Sequence, residues 1–390
     1  MTHPYRNVAL AGAFNTAQAR QLPGHTSLSI ALEAARGVLK RTGCDRMAID
    51  GVFGEMAYEV AYALGVGPVW TPMGGAAGGI VSILDAANAI AAGQCRCALL
   101  TAGGAGLFSA GAESTAPWTR PENEFVISSG MFTAMEFALI AQRHMAVYGT
   151  RPEHLAHVAA TIRNQGSINP QATFSGKGPY TIEDVLASRM IADPFHLLDC
   201  SLNAEGGAAL LLVDADMAAD LALPPVWLLG GCVDHMGPSY RHPPSWDLRN
   251  GGNGEIPNGY VGRRAARKAF AMSGLSPADV DTCEFYDPFS FEIIRQFEAF
   301  EFCKEGEGGD FVMEMMGLDK RYPTTTDGGL LSFGHAGGTA QLLQRVVRGV
   351  EQIQGLCVSG QVEGAEVALC SNGGAGAMFN DVLLLGKDRP

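Results

Sequence analysis

Thr-Thr-Thr-Asp-Gly-Gly-Leu-Leu-Ser-Phe-Gly-His-Ala-Gly-Gly, residues 324–338, sets one histidine among glycines immediately ahead of an apolar pattern. Leu343, Val346, Val347, Val350 and Ile353 follow at helical spacing, which predicts that His335 stands just before, or in, the first turn of a helix. First-turn N–H groups lack partners inside a helix and favour developing negative charge. The flanking glycines, Gly334 among them, let a ligand approach the backbone closely. A lone histidine in a glycine-rich turn is as readily a packed or solvated side chain. The stretch gains weight because its pattern occurs twice.

Ala34-Ala35-Arg36 precedes Ile49-Asp50 at the same spacing with which Ala265-Ala266-Arg267 precedes Val280-Asp281. Ala77-Gly78-Gly79 opens one apolar helical pattern and Ala336-Gly337-Gly338 opens another, while Ala98-Leu99 with Gly103-Gly104 matches Ala368-Leu369 with Gly373-Gly374. Each match is short, but their order is preserved across three elements, which implies two similar α/β units about a pseudo-twofold axis with two buried helices side by side.

The elements between these anchors fit that scheme. Residues 7–14 and 47–53 are strand candidates; Thr26 is placed to cap a helix bearing Leu28, Ala31, Leu32, Ala35, Val38 and Leu39, which stops near Gly43. In 80–92 the polar residues are only Ser82, Asp85 and Asn88, so this helix belongs inside a layered structure. From about 107 to 198, prolines, histidines, aromatics and helical patterns indicate an insertion over the core. Strands at 207–213, 226–233, 280–285 and 367–370 and a helix at 264–274 complete the chain. The expected units are 1–222, including the insertion, and 223–390.

A chain of 390 residues, 47% apolar and 17% charged, buries a large core, and a net charge of −13 argues against nucleic acid and against a basic membrane-binding face. No apolar run is long enough to cross a bilayer. Nine cysteines and an N-terminus without the pattern of a signal peptide point to reduced thiols in the cytoplasm. Cys95 and Cys97 have no second pair at zinc-like spacing, so no metal site is expected.

Three further stretches carry a family resemblance: Ala187-Ser188-Arg189-Met190-Ile191-Ala192-Asp193-Pro194, Asp199-Cys200-Ser201 leading to Gly206-Gly207-Ala208-Ala209, and Gly328-Gly329-Leu330-Leu331-Ser332 with Gly334-His335-Ala336. With these the whole chain resembles the thiolase superfamily, in the branch of the sterol-carrier-protein or lipid-transfer-protein thiolases. The resemblance implies two βαβαβαββ halves in five layers, an inserted loop domain and a dimer. It also implies a nucleophilic cysteine before the first buried helix, where a helix terminus lowers a thiol pKa. That position aligns with Gly75, which cannot carry an acyl group. The branch's His-Asp-Cys-Phe element stands here as Tyr286-Asp287-Pro288-Phe289, its Gly-His-Pro as Gly334-His335-Ala336, and the Cys-x-Gly of other branches as Cys370-Ser371-Asn372.

These departures argue against acyl-enzyme chemistry and leave retro-aldol cleavage, which needs a base for a hydroxyl proton and donors for a thioester enolate but no covalent intermediate. The resemblance narrows to the steroid side-chain aldolases, which act with a small OB-fold partner of the DUF35 type and in which the tyrosine matching Tyr286 is implicated in proton transfer. The expectation is therefore an acyl-CoA aldolase acting on a 3-hydroxyacyl-CoA, with coenzyme A thioester as substrate and no other cofactor, as a homodimer in a heterotetramer with a DUF35 protein. Tyr286 exchanges the proton, or is a strand-end aromatic satisfied by backbone. His335 and backbone N–H groups at Gly75, Gly334 and Gly374 hold the thioester oxygen, and Asp287 orients the loop. Cys370 is an acid/base thiol or an inert buried one. Lys177, Arg241, Arg249, Arg263 and Arg264 are the cations available for coenzyme A. A non-catalytic acyl-CoA-binding subunit and an acyltransferase using Cys370 are the other readings.

Overall fold

The structure, a computed structural model, describes residues 3–72, 78–106, 133–235, 261–336, 340–374 and 379–390. In chain order the strands are β1 (Val8–Asn15), β2 (Gly51–Phe53), β3 (Cys97–Gly104), β4 (Met190–Ala192), β5 (Phe195–His196), β6 (Gly206–Asp214), β7 (Val226–Cys232), β8 (Thr282–Glu284), β9 (Val367–Gly374) and β10 (Phe379–Gly386). The helices are α1 (Ser27–Thr42), α2 (Ala57–Leu64), α3 (Ile80–Ala91), α4 (Thr133–Tyr148), α5 (Pro152–Ser167), α6 (Ile182–Ala187), α7 (Ala215–Ala218), α8 (Arg263–Ser273), α9 (Ser290–Ala299), α10 (Gly308–Met315) and α11 (Ala340–Gln354).

Local chemistry sets the boundaries. Thr26 caps α1 by accepting from the Ser29 N–H, and Gly43 ends it in the left-handed conformation at φ 70°. α5 opens on Pro152, whose missing N–H costs nothing in a first turn. Two expectations need correcting. The strand predicted at 47–53 survives only as Gly51–Phe53, because Arg46–Ala48 forms a 3-10 turn capped by Asp45. The strand predicted at 367–370 runs on through Gly374 and pairs antiparallel with β10, a strand the sequence reading lacked.

Among the described residues, eight strands form one mixed sheet in the order β2-β3-β6-β1-β7-β10-β9-β8, with β4 and β5 as a separate hairpin. The order is palindromic in structure: each half ends in a parallel pair, β2 with β3 and β8 with β9. The halves join at a narrow seam, where β1 meets β7 through Ala9 opposite Trp227 and Leu10 opposite Val226. Between the two half-sheets lie α3 and α11, with Ile80, Ile83, Leu343, Val346, Val347 and Val350 packed among Leu10, Leu100, Leu210, Leu212, Leu228, Leu383 and Leu385. α1 covers the outer face of the first half and α8 that of the second. The result is five layers, helix, sheet, paired helices, sheet, helix, with α4 to α6 and the β4–β5 hairpin as the described part of the insertion.

Candidate active site

β8 runs parallel to β9 and delivers Tyr286-Asp287-Pro288-Phe289 at its carboxyl end, where α/β sheets commonly place ligands. The Tyr286 N–H donates to Ser371 Oγ at 3.0 Å, and its carbonyl accepts from Gln296 Nε2 at 2.7 Å. Its ring is 5% exposed, and its hydroxyl donates to Gln341 Oε1 at 3.2 Å. Gln341 lies in the first turn of α11 and also hydrogen-bonds the imidazole of His335. His335 Nδ1 lies 2.9 Å from Ser201 Oγ. Tyr286, Gln341, His335 and Ser201, from four separate segments, thus form one connected polar chain. Burial pushes the His335 imidazole down to about 4, against the Gln341 hydrogen bond, so it is neutral at pH 7.

Asp287 is fully buried and accepts the N–H groups of Leu330 at 2.8 Å and Leu331 at 3.2 Å. Those residues belong to a π-helical turn, Gly329–Phe333, which leads directly into Gly334 and His335. Such turns gather at functional sites. A Cβ on Gly329 would stand 2.0 Å from Asp287 Oδ2, and its φ is +56°, so the carboxylate has its seat only because residue 329 is glycine. The preceding segment is fixed by charge: Asp327 accepts from Arg345 at 2.7 and 2.6 Å, and Thr326 Oγ1 donates to Glu284 at 2.6 Å.

The other predicted residues fall in different surroundings. A Cβ on Gly374 would lie 3.7 Å from Tyr286 Oη, so this glycine borders the tyrosine hydroxyl. A Cβ on Gly334 would lie 2.7 Å from Gln18 Oε1. Cys370 is fully buried in the inner layer, and a Cβ on Gly349 would come within 2.5 Å of its Sγ. Burial drives that thiol well above its usual pKa. Lys177 Nζ stands 4.3 Å from the centre of the Phe174 ring, and the N–H groups of Thr173 and Phe174 donate to the carbonyls of Phe333 and Ser332. Arg263 lies 3.8 Å from Glu305, and Arg264 donates to Asp234 at 3.1 Å and to the Val233 carbonyl at 2.7 Å. Gly75, Arg241 and Arg249 lie outside the described residues.

Over 392 aligned residues the chain is 30% identical to the steroid side-chain-cleaving aldolase of Thermomonospora curvata, covering 94% of each protein. The chain belongs to the thiolase superfamily. Residues 260–387 match the superfamily's domain described as thiolase C-terminal domain-like. This superfamily member is also 36% identical over 260 residues to the acetyl-CoA acetyltransferase of Methanothermobacter thermautotrophicus, a match spanning 66% of the chain and 64%, just under two thirds, of that relative. The solved structure of the Ltp2-ChsH2(DUF35) aldolase has a TM-score of 0.83 and 28% identity, covering 98% of both chains.

Ser201 and Gln341 are the thiolase-like site's two residues that sequence reasoning missed as partners of the histidine. Ser201 stood in a family-like stretch, and Gln341 had one legible signal, a polar residue in the first turn of a helix opening near His335. Among the described residues no helix is long and apolar enough to cross a membrane, and no group of three or more His, Cys, Asp and Glu is placed to hold a metal ion.

Proposed function

We propose that the chain is an acyl-CoA aldolase, a carbon–carbon lyase that cleaves a 3-hydroxyacyl-CoA, a steroid side-chain thioester being one acyl class, into a ketone and a shortened acyl-CoA. The observation that carries the proposal is the meeting of the Tyr286 hydroxyl and the neutral His335 imidazole on one carboxamide, Gln341. Similarity to a steroid side-chain-cleaving aldolase along 94% of the chain supports it.

In this reaction a base takes the β-hydroxyl proton, the Cα–Cβ bond breaks as the ketone forms, and the thioester enolate then takes a proton at Cα. Tyr286 exchanges the hydroxyl proton. A free tyrosine titrates at about 10, so its anion needs donors, and Gln341 supplies them: half a turn of its carboxamide presents N–H groups to a tyrosinate in place of a carbonyl oxygen to a phenol. In the tautomer where Ser201 donates to Nδ1, one of the two senses open to that 2.9 Å contact, His335 carries its proton on Nε2 and offers this N–H to the thioester oxygen. Asp287 orients the π turn that carries Gly334 and His335. The chain acts as a homodimer, in a heterotetramer with a DUF35 protein, and this is supported by the match to the Ltp2-ChsH2(DUF35) aldolase. Of the three expected coenzyme A cations that are described, Lys177 is the one we carry forward for the phosphate, because Arg263 and Arg264 are engaged by acidic neighbours.

The test is mass-spectrometric detection of a ketone and a shortened acyl-CoA from a 3-hydroxyacyl-CoA with a tertiary β-carbon, with and without a DUF35 partner. Products from the wild type that vanish with Tyr286→Phe support the proposal; an absence of products under both conditions refutes it. Similarity to the archaeal acetyltransferase favours a second reading, acyl transfer through a cysteine. It needs a reactive Cys370, and iodoacetamide labelling at neutral pH that spares this residue removes that version.

A further inference from the structure

Asn372 lies on β9 opposite Asp381 and is fully buried, yet among the described residues neither its Oδ1 nor its Nδ2 has a hydrogen-bond partner. Buried carboxamides are almost always paired, because leaving both ends unsatisfied is costly. The amide nitrogen presses on Gly79, the N-cap of α3. A Cβ there would stand 2.3 Å from Asn372 Nδ2 and 2.7 Å from Leu342 Cβ of α11, and φ of +76° disfavours a side chain independently. Gly79, having no side chain, gives the first turn of α3 no cap of its own. Asn372, the opening of a twelve-residue helix and the first turn of α11 therefore converge on one point. Two residues along the same face of β9 is Gly374, beside Tyr286 Oη, and the residue before Leu342 is Gln341.

We propose that Asn372 Nδ2 donates to the carbonyl oxygen of the bound thioester, alongside the N–H groups that open α3, and holds the enolate oxygen that cleavage creates. This rests on the acyl-CoA reading of the site. A neutral donor suits the apolar layer between the sheets, since it brings no charge to be desolvated, and its bond strengthens as negative charge grows on the oxygen. The unpartnered Nδ2 of Asn372 is then a donor in waiting, taken up by the ligand.

The test is the infrared carbonyl stretch of [1-13C]acetyl-CoA on the full chain, comparing wild type with Asn372→Ala and Asn372→Val. Bound to the wild type, the stretch moves to lower frequency than in free acetyl-CoA; either substitution removes most of that shift. Neither variant melts earlier through loss of a side-chain hydrogen bond, because the Asn372 carboxamide makes none among the described residues. In retro-aldol assays kcat falls by about 10²–10³-fold with KM nearly unchanged. A shift equal in wild type and variants overturns the proposal, whatever the cleavage assay gives. A shift lost in the variants upholds it even where the wild type cleaves nothing, and then the aldolase reading alone falls. Failure of acetyl-CoA to bind overturns both.

Discussion

Removing one oxygen atom from Tyr286 separates its chemistry from its packing. Tyr286→Phe keeps the buried ring and loses the 3.2 Å hydrogen bond to Gln341, so the fold should lose about 1 kcal/mol while kcat/KM falls by about 10²–10⁴-fold. Thermal melts and steady-state kinetics on the same preparation check both halves of that expectation. His335 carries a pH signature. Its imidazole titrates near 6.5 when unfolded and near 4 when folded, so between those values the unfolded chain holds the extra proton. The stability due to the neutral ring is complete above about 6.5 and is lost as the pH falls to about 4. Melting temperature should therefore fall more steeply with acid in the wild type than in His335→Gln; identical slopes would place the ring in water. Tyr286 and His335 were legible in the sequence because each stands at an element boundary beside glycine or proline. The pairings of Gln341 with Tyr286 and of Ser201 with His335 were not, because they close over 55 and 134 residues.

At the scale of elements, the π turn Gly329–Phe333 is where the second half's site is held. α5 of the insertion packs directly on it: a Cβ on Gly166 would lie 2.2 Å from Ser332 Oγ. Alanine is the better helix former by about 1 kcal/mol, so Gly166→Ala would stabilise an isolated helix. In the protein the clash should outweigh that gain, lowering the melting temperature and disturbing His335 through Gly334. A variant that melts higher and keeps full activity would show that the contact is compliant. Asp287→Asn leaves an amide N–H facing one of the two backbone N–H groups that the carboxylate accepts, and should cost about 2–3 kcal/mol in urea unfolding. The helices α1, α8 and α11 were legible from periodicity and glycine stops. The π turn was not, since its geometry depends on left-handed glycines and on a carboxylate some forty residues earlier. β9 was cut short in the reading because Ser371, Asn372, Gly373 and Gly374 are poor strand formers, held extended here by pairing with β10.

For the whole molecule, the repeat in the sequence predicted paired halves, and the mirrored strand order is that arrangement. The repeat could not show how unequal the sharing is at the centre: α11, from the second half, packs against β1, β3 and β6 of the first as well as β8, β9 and β10 of its own. We propose the boundary between halves at 222/223, in the segment joining α7 to β7. Because α11 of the second half covers much of the inner face of the first half-sheet, residues 1–222 expressed alone should expose Leu10, Leu100, Leu210 and Leu212 and fail to give a cooperative melt. A sharp, native-like transition for that fragment would refute the shared core.

Turnover of a 3-hydroxyacyl-CoA in D2O, with the DUF35 protein added, reads the proposed enolate directly. The aldolase account predicts a ketone and a shortened acyl-CoA in equal amounts, with deuterium at Cα of the acyl-CoA and no acyl group on the protein by intact mass. An acyl adduct on the chain that passes into product, with no ketone released, would contradict it.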